Sequence, residues 1–234
     1  MSIYSDLEYL YYRFRLSDVA RAVQTRKLTY LSSQRLLSLQ KWLRTIKRKG
    51  VKGDFVECGI ALGGSAILIA SELDGMRRFC GYDVFGMIPP PSAPDDPKSM
   101  QRYDVIKSGR AQGIGGGTYY GYLDNLYDRV RQSFESFGLP VDGNRISLKK
   151  GLFEDTLHFD PDEHVAFAHI DCDWYEPVKL SLNRIHPALS SAAVIILDDY
   201  NDWGGCRRAT VEYLKAHPDV SIAAETPHAI LIKA

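Results

Sequence analysis

From residue 54 onward, short apolar runs alternate with stretches of helical periodicity, and this alternation limits the folds open to the chain. The runs lie at 54–58, 78–82, 145–149, 165–170 and 193–197, and the helical stretches at 64–73, 123–137, 178–185 and 206–216. Strands alternating with helices predict a parallel sheet covered on both faces. Two last runs, 221–224 and 229–232, read as a closing strand pair. The class is therefore α/β and Rossmann-like, and in such sheets ligands bind beyond the carboxyl ends of the strands. Residues 1–50 form a helical extension. Leu7, Leu10, Tyr11 and Phe14 fall at helical spacing, and Leu36, Leu37, Leu39, Leu43 and Ile46 recur along 33–49. The extension either packs on the main domain, 51–234, or forms a lid over it. The main domain is interrupted by an insertion at 86–121, Pro-rich in 86–97 and Gly-rich in 109–121, which reads as long loops.

Charge excludes several functions. Lys and Arg total 29 and so do Asp and Glu, giving zero formal net charge. A chain without basic excess is a poor partner for nucleic acid or an anionic membrane surface. No apolar run approaches the roughly 20 residues that span a bilayer, and the first residues lack a signal-peptide pattern. Cys58, Cys80, Cys172 and Cys206 are scattered, with no zinc-ligand spacing, as expected in a reducing cytoplasm.

Chemistry-bearing residues follow the strands. After the first comes Glu57-Cys-Gly59-Ile-Ala-Leu-Gly63-Gly64-Ser65. Its spacing is not the G-x-G-x-x-G of dinucleotide binders, which disfavours an NAD enzyme. Glu57 would repel a pyrophosphate and attract a cation such as the amino group of S-adenosylmethionine (SAM). Asp83 ends the second strand, where doubly wound folds grip a ribose. The fourth strand ends in His169-Ile-Asp171-Cys-Asp173-Trp-Tyr175 and the fifth in Asp198-Asp199-Tyr200. Strand alternation points Asp171 and Asp173 the same way. Four converging carboxylates repel one another unless a cation lies among them, and an all-oxygen donor set favours Mg²⁺, Mn²⁺ or Ca²⁺. Three suffice as ligands, leaving the fourth as a general base; some of the acids instead suit helix caps. His169 reads as a satisfied core histidine. Trp174, Tyr175, Tyr119, Tyr120 and Tyr122 are candidates for an acceptor pocket or for plain anchoring. Arg207 and Arg208 are candidates for the phosphate of a nucleotide sugar, or for a solvated helix face.

These motifs do not stand alone. Asp83-Val-Phe85-Gly86, Lys150-Gly-Leu-Phe153-Glu-Asp155-Thr-Leu, Trp203-x-Gly-Cys-Arg207, Leu28-Thr-Tyr-Leu-Ser32 and Arg35-Leu-x-x-Leu-Gln40 accompany them in order. With them the chain resembles the macrocin O-methyltransferase family, from about residue 28 to the end. That family comprises SAM-dependent enzymes that methylate sugar hydroxyls of macrolide and aminocoumarin antibiotics. The resemblance implies a class I methyltransferase fold of seven strands, the last antiparallel. It implies SAM held by Thr29, Tyr30, Glu57, Gly59, Gly63, Ser65, Asp83, Val84, Phe85, Gly151, Phe153, Asp155 and Asp171, with 153–155 near the adenine. It implies Mg²⁺ on Asp171, Asp198 and Asp199, with Asp173 as general base. It also implies a cytoplasmic homo-oligomer whose N-terminal segment and insertion close over a sugar or glycoside acceptor. The sequence departs from the family at Leu62, where the family carries Arg. Two other readings remain: an O-methyltransferase of catechol-like diols, and a non-catalytic SAM- or sugar-binding module. An acid at 173, rather than a nearby Lys, favours the sugar enzymes over the catechol ones.

Overall fold

The computed structural model describes residues 11–12, 14–75 and 77–234. Leu7, Leu10 and the first tyrosines lie outside these residues.

The strands are β1 (Asp54–Cys58), β2 (Phe79–Asp83), β3 (Ile146–Lys150), β4 (Val165–Ile170), β5 (Leu189–Leu197), β6 (Val220–Ala224) and β7 (Ala229–Lys233). They form one sheet in the order β3-β2-β1-β4-β5-β7-β6. β1 to β5 run parallel, and β7 is antiparallel to both β5 and β6. The seven-stranded Rossmann-like sheet is the one expected. Strand β4, Val-Ala-Phe-Ala-His-Ile, is buried at every position, as a central parallel strand should be.

Register turns this sheet into a site. Cys58 pairs with Tyr82 on one side and Ile170 on the other, and Ile170 pairs with Leu197. The four strands β2, β1, β4 and β5 thus end nearly level. Gly59, Asp83, Asp171 and Asp198, each at or just past a strand end, stand side by side at the switch point where the strand order reverses between β1 and β4.

The helices are α1 (Asp18–Thr25), α2 (Ser33–Lys49), α3 (Gly64–Ser71), α4 (Pro97–Lys107), α5 (Leu126–Ser136), α6 (Phe153–Thr156), α7 (Tyr175–Ile185) and α8 (Gly204–Ala216). Helix α2 starts where the Ser32 side chain accepts from the Arg35 N–H and stops at Gly50 in a left-handed conformation. Its buried stripe of Leu36, Leu39, Leu43 and Ile46 packs into the same core as α3 and α5. Helices α7 and α8 cover the other face of the sheet. No helix among the described residues is long and apolar enough to cross a membrane.

The insertion departs from expectation: it is not simply loop. Helix α4 occupies its middle, with Asp96 accepting from the Ser99 N–H at 2.8 Å and Pro97 in the first turn. Proline density suggested breakage, yet Asp-Pro is also a helix start, because the N–H that Pro97 lacks would have no partner in a first turn. The insertion is also tied down. Asp95 Oδ1 accepts the Tyr175 N–H at 2.8 Å, and Asp96 Oδ2 accepts the Gly204 N–H at 2.8 Å. Two acids of the insertion thereby satisfy free donors at the N-termini of α7 and α8.

Candidate active site

A cavity of about 530 Å³ lies over the level strand ends, a size suited to small molecules. Its walls come from the strand ends, from Leu28–Leu31, and from the insertion through Ile88, Pro89, Arg102, Tyr119 and Tyr120.

The glycine-rich loop forms the floor. Gly59 has φ +93°, and a Cβ there would lie 1.8 Å from the carbonyl oxygen of Asp171. That approach exists because the Asp171 N–H donates to Cys58 O at 2.8 Å, joining the ends of β1 and β4. Gly59→Ala is expected to cost about 3 kcal/mol, from clash and left-handed strain together. Denaturant unfolding measures it, and an unchanged midpoint would show that the two strand ends can part freely. Gly64 does a second job. Its N–H donates to Leu28 O at 2.8 Å, and a Cβ there would meet that oxygen at 2.5 Å. Gly64 thus lets the N-terminal segment lie on the loop, placing Thr29 and Tyr30 in the cavity wall.

The residues expected to hold a cofactor separate into two groups. Thr29, Tyr30, Gly59, Ser65, Asp83, Val84, Phe153 and Asp171 line the cavity. Glu57, Gly63, Phe85, Gly151 and Asp155 stand behind or beside it. Gly63 caps α3, Phe85 is buried edge-on against Tyr127, Gly151 turns the chain with φ +148°, and Asp155 is exposed on α6. Asp83 shapes the loop. Its carboxylate accepts N–H groups of Ile60 (2.7 Å), Ala61 (3.1 Å) and Phe85 (2.5 Å). Burial pushes its carboxyl up and these three donors pull it back, leaving it raised. Glu57 is fully buried. Its Oε1 pairs with His169 Nδ1 at 2.7 Å, while its Oε2 has no hydrogen bond among the described residues.

At the other end of the cavity, Asp171, Asp198 and Asp199 each bring one oxygen within 4.8 Å of the others. Asp173 joins them in the wall, but not by alternation. The strand ends at Ile170, and Asp173 takes φ +59°, a left-handed conformation uncommon for a residue with a side chain. Its N–H donates to Asp199 Oδ2 at 2.9 Å.

The four acids are not equivalent. Burial, then repulsion from neighbouring carboxylates, pushes Asp171 and Asp199 well above the usual range. Asp173 is pushed up to about 6 by burial, with Trp203 and Arg102 drawing it partly back. Asp198 goes the other way. Burial would raise it, but the facing imidazoles of His169 and His228 and the Arg35 charge hold it below the usual range. Arg35 Nη1 lies 2.7 Å from Asp198 Oδ2, and its Nη2 lies 2.6 Å from Asp202. His228 Nδ1 is 3.1 Å from Asp198 Oδ1, and its Nε2 is 2.9 Å from Ser38 Oγ. His169 is only half satisfied: Nε2 has no hydrogen bond and stops 3.8 Å from Asp198 Oδ1. Burial would lower its pKa, but Asp198 and Glu57 outweigh that and raise it to about 10.

Arg35, Ser38 and His228 were missed as functional residues. Arg35 stood inside a quoted motif without a role, and His228 has no local signal at all. Only the antiparallel pairing of Leu197 with Ala229 brings it to Asp198.

Aromatic rings form the remaining wall. Trp174 and Trp203 meet edge to face at 5.2 Å, and Tyr30, Tyr119 and Tyr120 form a second group. Trp174 donates from Nε1 to Pro89 O at 3.0 Å. Tyr122 lies outside the cavity lining and anchors the insertion through Ile106 O. Tyr175 is buried behind the site, its hydroxyl on Glu212. Arg207 is engaged by Tyr200 O and Asn201, and Arg208 by Glu212; neither faces the cavity.

A glycine-floored cavity ending in clustered acids agrees with one sequence family. The profile of macrocin-O-methyltransferase (TylF) matches residues 15–223. The chain belongs to this family. It is an O-methyltransferase, of the enzyme class that takes its methyl group from SAM. Among relatives, the 8-demethyl-8-(2,3-dimethoxy-alpha-L-rhamnosyl)-tetracenomycin-C 4'-O-methyltransferase of Streptomyces olivaceus is 31% identical over 79% of this chain and 67% of its own. The mycinamicin III 3''-O-methyltransferase of Micromonospora griseorubida is 28% identical over 81% of this chain and 71% of its own. The solved O-methyltransferase NovP shares the fold, with a TM-score of 0.72 at 22% identity over 88% of this chain and 81% of that one.

Proposed function

We propose that this methyltransferase transfers the methyl group of SAM to a hydroxyl of a sugar or glycoside, with Mg²⁺ on Asp171, Asp198 and Asp199 and with Asp173 as general base. One observation carries the reading: three oxygen ligands and a fourth, separately held carboxylate share one cavity with the glycine-rich floor. The names of the Streptomyces olivaceus and Micromonospora griseorubida relatives support the acceptor class, the first specifying a rhamnosyl-bearing substrate.

The residues fit both groups. Glu57 Oε2 is buried with no hydrogen bond among the described residues, and the Ser65 side chain lies against Glu57 while also lining the cavity. Such an acid suits the cationic amino end of SAM. The Asp171, Asp198 and Asp199 oxygens, within 4.8 Å of one another, are the hard donors that Mg²⁺ prefers, and a cation among them would relieve the repulsion between these carboxylates. When bound, SAM supplies an electrophilic methyl group and the divalent ion lowers the pKa of a sugar hydroxyl. The protein's own contributions follow from its geometry. Asp173 accepts the hydroxyl proton at its carboxylate as the oxygen attacks. Trp174, Trp203 and the tyrosines exclude water and orient the sugar. In this reading Leu28–Leu31 of the 1–50 extension and the insertion 86–121 act as the roof of the 51–234 domain.

Calorimetry with S-adenosylhomocysteine (SAH), once with Mg²⁺ and once with EDTA, tests the reading. Tight binding in both is expected, with turnover of a sugar acceptor lost only in EDTA. Absence of SAH binding in either condition would reject it.

A further inference from the structure

We infer that the acceptor carries an anionic group, a phosphate or a carboxylate, and that Arg102 of the insertion binds it. The inference rests on the O-methyltransferase reading of the cavity and specifies its substrate further.

Among the described residues two guanidinium groups line the cavity, Arg35 and Arg102. Arg35 is saturated by Asp198 and Asp202. Arg102 is not. Among the described residues it has no carboxylate at ion-pair distance and no hydrogen bond; its contact is the Tyr119 ring, with the guanidinium carbon 5.7 Å from the centroid. A guanidinium is a rigid fork of N–H donors that cannot shed its charge, and it matches phosphate and carboxylate geometry. Left half-buried beside an acceptor cavity, that fork is built for a ligand.

Its position is held from behind. One turn earlier on α4, Lys98 Nζ donates to Asp202 O at 2.8 Å and lies over the Trp203 ring at 4.5 Å. Asp96 at the helix start accepts the Gly204 N–H. Helix α4 is thus docked on the strand-end loops, and Arg102 is presented rather than free to swing away. It touches the Tyr119 ring and lines the same cavity as Tyr30, Tyr120 and Asp173. An anion there sits on the sugar being methylated or on its immediate substituent. Arg207 and Arg208, the residues the sequence offered for a phosphate, are engaged elsewhere, so the role falls to Arg102.

The test is calorimetry on the SAH-loaded protein, with Mg²⁺ present throughout and three probes: thymidine diphosphate, glucuronate and methyl α-rhamnoside. Wild type is expected to bind one anionic probe at least about tenfold more tightly than the neutral rhamnoside. Preference for the diphosphate identifies a phosphate, and preference for glucuronate a carboxylate. R102Q should weaken that probe roughly 10- to 100-fold, the range of a charge-assisted hydrogen-bond pair. R102K, which keeps the charge but loses the fork, should weaken it severalfold, and it reads the same contact should R102Q fail to fold. No anionic preference in wild type, or a preference unchanged in the variants, overturns the inference. Failure of SAH to bind wild type would instead reject the methyltransferase reading beneath it, so the two failures are distinct.

Discussion

Asp173→Asn is expected to lower kcat by about 10² to 10⁴-fold, the range of a lost general base, while SAH affinity changes little and the protein becomes more stable. Asn is the variant of choice because it keeps the side-chain shape and tolerates the left-handed backbone of this position. The gain in stability follows from charge. Asp173 is pushed up to about 6 from an ordinary 3.8 by burial beside other acids. A carboxyl with a raised folded-state pKa favours the fold in its protonated form. That contribution is complete below about pH 4 and lost as pH rises through about 6. An amide keeps the uncharged state at every pH. Allowing for partial exposure, the gain at pH 7 is about 2 kcal/mol, or roughly 4–8 °C in melting temperature. Steady-state kinetics and thermal melts across pH 4–8 check both halves. Near-normal turnover would remove Asp173 from the base role, and a lower melting temperature would remove the account of repulsion.

Why the fold was legible and parts of the site were not is clear from particular residues. Parallel strands such as 165–170 are buried on both faces, so they appear as mostly apolar runs between helical stretches, and the rule of strand carboxyl ends then locates Gly59, Asp83, Asp171 and Asp198. Alternation failed at Asp173 because pairing stops at Ile170 and the backbone turns left-handed. In the insertion, prolines disguised a helix that Pro97 in fact helps to begin. The partners of Asp198 were hidden for another reason: Arg35 and His228 lie far from it in sequence, and His228 lies 190 residues from Ser38. Contacts of that range depend on sheet register and on the docking of α2, which no local pattern encodes.

Those hidden partners make adjacent acids behave oppositely, and the second large effect lies there. Asp198→Ala is expected to destabilise the protein by about 3–5 kcal/mol, the cost of breaking a buried ion pair by removing one partner. Asp198 is 3% exposed and faces Arg35, His228 and His169. Without it His169 can lose its proton, and burial already holds His228 below the ordinary imidazole range, but Arg35 cannot shed its charge. It keeps only Asp202, the more exposed of its acids. Asp199→Asn should do the reverse. Asp199 is crowded by Asp173, Asp171 and Asp198, and burial with repulsion raises its carboxyl, so an amide relieves the fold. Both variants should lose divalent-dependent turnover, since Asp198→Ala removes one of the three proposed oxygen ligands and Asp199→Asn replaces an anionic one with a neutral amide. Thermal melts, with and without Mg²⁺, separate the roles. Mg²⁺ should raise the melting temperature of wild type and of neither variant, because only the complete set of acids gains from a cation. Equal destabilisation by the two substitutions would mean that Asp198 is not the counter-ion of Arg35. The position would then be a ligand and nothing more, and the link from α2 across the sheet to β7 would have no part in setting the acids.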